Sequence, residues 1–142
     1  MAATLVLYVE DEENDVFFMR VAFKETGLSH LLRVVTDGQQ AIDYLAGHGP
    51  FADREEHPLP GLVLLDLNLP IKSGIDVLRW IRGQSDFVSL PVIVLTSSGR
   101  DADRQKCLEL GANEFFVKPG LPKDTLKLVE TLRDHWLRQV LA

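Results

Sequence analysis

The strongest constraint on this chain is a fivefold alternation. Leu5–Val9, Leu31–Val35, Leu62–Leu65, Val92–Leu95 and Phe115–Val117 are short apolar runs without in/out alternation, the pattern of strands buried on both faces. Segments of helical length and period separate and follow them: Asp15–Thr26, Gln39–Ala46, Gly74–Arg82, Asp103–Leu110 and Thr125–Leu141. Right-handed crossovers turn five such units into a parallel sheet with helices on both sides. The expected class is therefore α/β, a doubly wound five-stranded parallel (βα)5 sheet. Gly27, Asp37–Gly38, Gly83, Gly111 and the stretch Pro119–Pro122 supply breaks where strand and helix change over.

Length and composition narrow this further. At 142 residues and 46% hydrophobic, the chain fits one domain over residues 1–142 with a core that needs no staples. Two segments exceed what the sheet requires. His48–Gly61, with three prolines and a charge cluster, reads as a long exposed loop, and residues from about 122 to 142 read as an extended C-terminal helix. A net charge of −6, from 21 acids against 15 Lys and Arg, argues against nucleic acid as the partner. The single Cys107 excludes an internal disulfide and a thiolate zinc site, which suits a reducing, cytoplasmic setting. No apolar stretch approaches the roughly 18 residues of a membrane span.

In an open parallel sheet the ligand site lies beyond the carboxyl ends of the strands. There the sequence places Glu10 and Asp11 after the first strand, Asp66 after the third, Thr96 and Ser97 at the fourth, and Lys118–Pro119 after the fifth. Three carboxylates a few ångströms apart repel one another by about 4 kcal/mol per pair at an effective dielectric of 20, so the set invites a cation. Oxygen ligands without His or Cys specify a hard ion, and Mg²⁺ is the best candidate. Three carboxylates against Mg²⁺ and the Lys118 ammonium sum to about zero, which leaves Asp66 free to act as a nucleophile toward a phosphoryl group. The Thr96 hydroxyl can donate to a phosphoryl oxygen. Glu13 and Asp15 read more simply as acids facing a helix N-terminus, with Asn14 or Asp15 as the cap.

The blocks Glu10–Asp11, LLDLNLPIKSG (Leu64–Gly74), VIVLTSS (Val92–Ser98) and GANEFFVKP (Gly111–Pro119) resemble the signature of the receiver domain of two-component response regulators. The likeness spans Leu5 to Leu137 and implies a flavodoxin-like sheet with strand order 2-1-3-4-5. It implies that Asp66 is the phosphoacceptor, that Asp11, Asp66 and the Asn68 backbone carbonyl ligate Mg²⁺ with Glu10 acting through water, and that Lys118 partners the phosphate. It further implies Thr96 and Phe115 as switch residues, Asn68 and Ser98 as positions that tune dephosphorylation, and a cis Lys118–Pro119 peptide. The long loop, the DLNLPIKSGIDVL block and the extended last helix together resemble stand-alone regulators paired with phytochrome-type histidine kinases.

Partner surfaces follow from the helices. On the first helix Phe18, Met19, Ala22 and Phe23 share one side while Phe17 and Val21 lie nearly opposite. The core takes the first set, and a sensor histidine kinase or histidine phosphotransfer protein would dock on Phe17 and Val21. On the last helix Trp136, Leu137, Val140 and Leu141 would run past the sheet and leave an apolar patch for a homodimer. His30, His48, His57 and His135 have no ligand spacing and read as surface residues, and Cys107 as a buried or half-buried hydrophobe. The function expected is phosphorelay signalling, with no catalysis beyond the protein's own phosphoryl transfer and loss. A receiver acting as a phosphorylation-independent scaffold is the alternative, though Asp11, Asp66, Thr96 and Lys118 are all intact. A haloacid-dehalogenase-like phosphatase lacks its second acid, because Asn68 stands where that acid must be. A flavodoxin-like FMN site would need a phosphate loop where the chain instead has EDEEND.

Overall fold

A computed structural model describes residues 5–97 and 99–137. Five strands, β1 (Val6–Val9), β2 (Leu32–Val35), β3 (Leu62–Leu65), β4 (Val92–Thr96) and β5 (Glu114–Val117), form one sheet in the order β2-β1-β3-β4-β5. All four pairings are parallel, with Val6 opposite both Leu32 and Leu62, and Thr96 opposite Val117. Successive residues of a strand point to opposite faces, and here both faces are covered. Val6, Tyr8, Leu62, Leu64, Ile93 and Leu95 pack under helices α1 (Glu13–Glu25) and α5 (Pro122–Leu132). Leu7, Val9, Val63, Leu65, Val92 and Val94 pack under α2 (Gly38–Ala46), α3 (Gly74–Gly83) and α4 (Asp101–Glu109).

The expectation of strands buried throughout holds for β1, β3 and β4 but not for β2 and β5, whose residues are partly exposed. The reason is position, since these are the two edges of the sheet and each has one neighbour. Helix starts are secured locally. Asp37 accepts from the Gln40 N–H at 2.7 Å, and Ser73 and Asp76 form a reciprocal capping box. The cap of α1 is Glu12, which accepts from the Asn14 N–H at 3.1 Å, rather than Asn14 or Asp15. Glu12 can cap because the strand-to-helix turn is so short that the extended residue before the helix is already an acid.

The last helix departs from expectation. Its α-helical part ends at Leu132 and continues as a π turn over Arg133–Leu137. An i→i+5 turn brings Leu137 beneath Leu132, and Leu137 is fully buried in the same core as Val129 and Leu132. Trp136 packs half-buried against that core, and its indole N–H donates to Glu114 Oε2 at 3.1 Å. Trp136 and Leu137 therefore do not form the exposed patch expected of them, because the wider turn rotates the apolar stripe inward. Val140 and Leu141 lie outside the described residues, as does Ser98.

The segment between α2 and β3 runs over the surface but is pinned. Arg54 donates to the carbonyls of Tyr44, Leu45 and His57 at 2.7, 2.7 and 3.2 Å, satisfying carbonyls left over at the end of α2. His57, expected at the surface, is half-buried in an edge-to-face cluster with Tyr44 and Phe51. Cys107 is buried and free. Among the described residues no helix is long and apolar enough to cross a membrane.

Candidate functional site

The parallel ladder delivers the site. Glu10 N–H donates to Val35 O at 3.0 Å, Asp66 N–H to Val9 O at 3.1 Å and Lys118 N–H to Thr96 O at 2.8 Å, so the residue after each of three strands is held by the strand beside it. One carboxylate oxygen from each of Glu10, Asp11 and Asp66 lies within 4.8 Å of the others. Glu10 and Asp66 are buried and Asp11 is exposed, which makes the cluster a recess with one wet side. A cleft of about 410 Å³ opens over it, lined by these three with Glu12, Asp15, Asn68, Ser97 and Lys118.

Lys118 ties the cluster together. Its Nζ lies 2.7 Å from Glu10 Oε1, 2.9 Å from Asp15 Oδ2 and 3.3 Å from Asp66 Oδ2. Burial works against the ammonium charge, but hydrogen bonds to Glu10 and Asp15 and the Asp66 charge outweigh it and hold Lys118 protonated above its ordinary range. Glu10 responds in the opposite balance. Desolvation, aided by the Asp66 charge, pushes its carboxyl from 4.5 up to about 7 against the pull of Lys118. Its remaining hydrogen bonds come from Tyr8 Oη at 3.3 Å and the Glu12 N–H at 3.2 Å. Burial first, then the neighbouring Glu10 charge, holds the Tyr8 phenol well above its usual range, so it remains a donor.

Asp66 differs from Glu10 in one respect. Its Oδ2 meets Lys118, while its buried Oδ1 has no hydrogen-bond partner among the described residues. An unpartnered buried carboxylate oxygen costs of order 1–3 kcal/mol or more, so it belongs with a group the protein chain does not supply. The donor set, oxygens only and three carboxylates, fits a hard divalent cation. The turn after Asp66 is packed to its limit. A Cβ on Gly74 would come 2.2 Å from Asp66 O and 2.6 Å from Leu67 Cα, and the Gly74 N–H donates to Leu67 O at 3.0 Å. Only glycine lets α3 begin this close to the Asp66 backbone.

Glu10, Asp11, Asp66, Asn68 and Lys118 are thus brought to one cleft, as expected. Thr96 is fully buried at the end of β4 and is not among the cleft-lining residues. Phe115 is buried in the core on the α3 and α4 side, with the Arg104 guanidinium 5.5 Å from its ring centre. The Lys118–Pro119 bond is trans, the isomer an X-Pro bond prefers by about 0.5–1 kcal/mol, and not the cis form expected. Three participants went unread in the sequence: Tyr8 behind Glu10, Arg104 over Phe115, and above all Asp15. Asp15 follows Glu10 by five residues, one short turn into α1, and that spacing carries it over the strand ends. With Asp15 counted, the acids around Lys118 and a divalent cation sum to about −1 rather than zero, and the raised Glu10 carboxyl absorbs part of the excess.

Five parallel strands in this order, with acids and a lysine gathered at their carboxyl ends, define the receiver class of doubly wound α/β proteins. The response regulator receiver domain model matches residues 6–130, and the chain belongs to that family, whose work is phosphorelay signal transduction. Response regulator Rcp1 of Synechocystis sp. is 35% identical over 96% of this chain and 90% of its own length. The crystal structure of its Mn²⁺-bound form is similar with a TM-score of 0.85, covering 96% of each chain. The phosphorylated cyanobacterial phytochrome response regulator RcpA shows 30% identity and a TM-score of 0.88 over 97% of this chain and 96% of its own. Response regulator RPA3017 in red light signalling of R. palustris shows 34% identity and a TM-score of 0.88 over 94% of each chain.

Proposed function

We propose that Asp66 accepts a phosphoryl group from a phosphohistidine of a phytochrome-type sensor histidine kinase or histidine phosphotransfer protein. The observation that carries this is the buried, unpartnered Oδ1 of Asp66 at the floor of an open acidic cleft. A carboxylate oxygen attacks phosphorus, the P–N bond breaks and its electron pair returns to the imidazole nitrogen. No proton has to leave Asp66. Lys118, already 3.3 Å from Oδ2, meets the charge on the transferred group. Asp11, Asp66 and the Asn68 carbonyl, with Glu10 through water, would hold Mg²⁺, which neutralises phosphoryl oxygens when bound. The Mn²⁺-bound form of Rcp1 and the all-oxygen donor set support that reading. Asn68 lines the cleft, where it can tune loss of the phosphoryl group, and the protein's own catalysis extends no further than gaining and losing this group.

The phytochrome-type partner and a cytoplasmic location rest on likeness to Rcp1, RcpA and RPA3017. Phe17, 60% exposed, and Val21, beside a groove between α1 and α5, form the kinase-docking face. Thr96 and Phe115 carry the switch: Thr96 turns toward the phosphoryl group and Phe115 packs inward behind it, with the Arg104 guanidinium over its ring. A homodimer, no longer built on Trp136 and Leu137, has apolar surface at the open sheet edge, where Leu108, Val117 and Leu121 are exposed. The test is transfer of label from a phosphorylated phytochrome-type kinase. Label expected on the wild type is hydroxylamine-labile and absent from Asp66→Asn, and label that persists on that variant would refute the assignment.

A further inference from the structure

We propose that Asp15 is a positioning residue for Lys118 that draws the ammonium off Asp66 and thereby limits how long the phosphoryl group survives. The inference rests on Asp66 being the phosphoacceptor. An ammonium has three N–H donors, and Lys118 has three carboxylates to spend them on. The contacts are unequal: 2.7 Å to Glu10, 2.9 Å to Asp15 and 3.3 Å to Asp66. The lysine therefore sits against β1 and α1, and Asp66 receives the weakest bond. Its stem does not set this position by itself. Phe18, Met19, Leu95 and Thr125 line, with Asp15 and Lys118, a void of about 10 Å³, room for about one water, so packing leaves the lysine some slack and the carboxylates decide where the charged end points.

Asp15 suits this task. It stands in the first turn of α1, where the helix dipole favours an anion, and it is partly shielded from solvent, with 29% side-chain exposure. Without it the ammonium keeps two carboxylate partners, Glu10 and Asp66, and is free to close on Asp66. In the resting protein Asp15 thus holds the lysine back from Asp66. Once Asp66 carries a phosphoryl group, the new oxygens compete with Asp15 for the same ammonium. A carboxylate that retains part of the lysine weakens its hold on the phosphoryl group and leaves the acyl phosphate open to water.

Asp15→Asn removes the charge with little change of shape, and Glu12→Gln is the control. Glu12 lines the same cleft but caps α1, and among the described residues the ion pairs of Lys118 are with Glu10, Asp15 and Asp66, so the control removes equal charge without releasing the lysine. After labelling with a small acyl phosphate and Mg²⁺ and removal of the donor, the phosphoryl half-life of Asp15→Asn should lengthen on the order of fivefold to tenfold. That of Glu12→Gln should stay within about twofold. Simple loss of α1 packing would shorten the half-life instead. In metal-free protein the ¹⁵N resonance of the Lys118 ammonium should move in Asp15→Asn and not in Glu12→Gln. An unchanged or shorter half-life in Asp15→Asn, or equal lengthening in both variants, overturns the role of Asp15. Absence of label on the wild type instead overturns the phosphoacceptor reading beneath it.

Discussion

Glu10→Gln is the most informative single change for the electrostatics of this cleft. The wild-type carboxyl is lifted from 4.5 to about 7 by desolvation first and by Asp66 second. Between those values the folded protein holds a proton that the unfolded chain has released, so unfolding sheds protons and stability falls as pH rises. At about 1.4 kcal/mol per pH unit, the loss attributable to Glu10 is about 3 kcal/mol, complete once the pH passes 7. The sign is the reverse of an ordinary salt-bridged carboxylate, whose stability is lost on acidification. Glutamine keeps the shape and cannot titrate. Urea unfolding in chelator, followed by Trp80 and Trp136 fluorescence, should show the wild type losing about 3 kcal/mol relative to the variant from about pH 4 to about pH 8. Saturating Mg²⁺ should return much of this at the upper pH, since a ligand at 100 times its Kd adds about 2.7 kcal/mol. A difference between the two proteins that does not change with pH would refute the reasoning.

Gly74→Ala should cost about 1–3 kcal/mol by overpacking and slow labelling of Asp66, since its Cβ meets backbone atoms at 2.2 and 2.6 Å; unchanged melting and labelling would contradict the packing argument. Leu137→Ala should cost about 2–5 kcal/mol as a core deletion, read by denaturant unfolding, whereas a residue of an exposed patch would cost within about 0.5. Phe17→Ala with Val21→Ser should slow transfer from the kinase but leave labelling by a small acyl phosphate unchanged. Equal rates from the kinase would remove the docking face from α1.

Much of this was legible in the residues. The five-beat alternation specifies the sheet and its helices because parallel strands need crossovers, and the strand-end rule collects Glu10, Asp11, Asp66 and Lys118 without any contact information. What escaped was geometry that spacing does not carry. Asp15 looks like an ordinary helix-start acid, and only the angle at which α1 leaves β1 turns it toward Lys118. Leu137 looks exposed because a regular helix of that length would run past the sheet, and a π turn that no residue announces brings it inside. The partial exposure of β2 and β5 comes from their places at the two ends of the expected strand order, which the apolar run of a single strand does not express. Tyr8 reads as one more apolar strand residue until its hydroxyl is found on Glu10.

The central claim is that Asp66 is a cation-assisted phosphoacceptor, and intact-mass measurement tests it most directly. Wild type incubated with Mg²⁺ and a small acyl phosphate should gain the mass of one phosphoryl group, which chelator and Asp66→Asn each abolish. No added mass on the wild type, or the same added mass on Asp66→Asn, would contradict it.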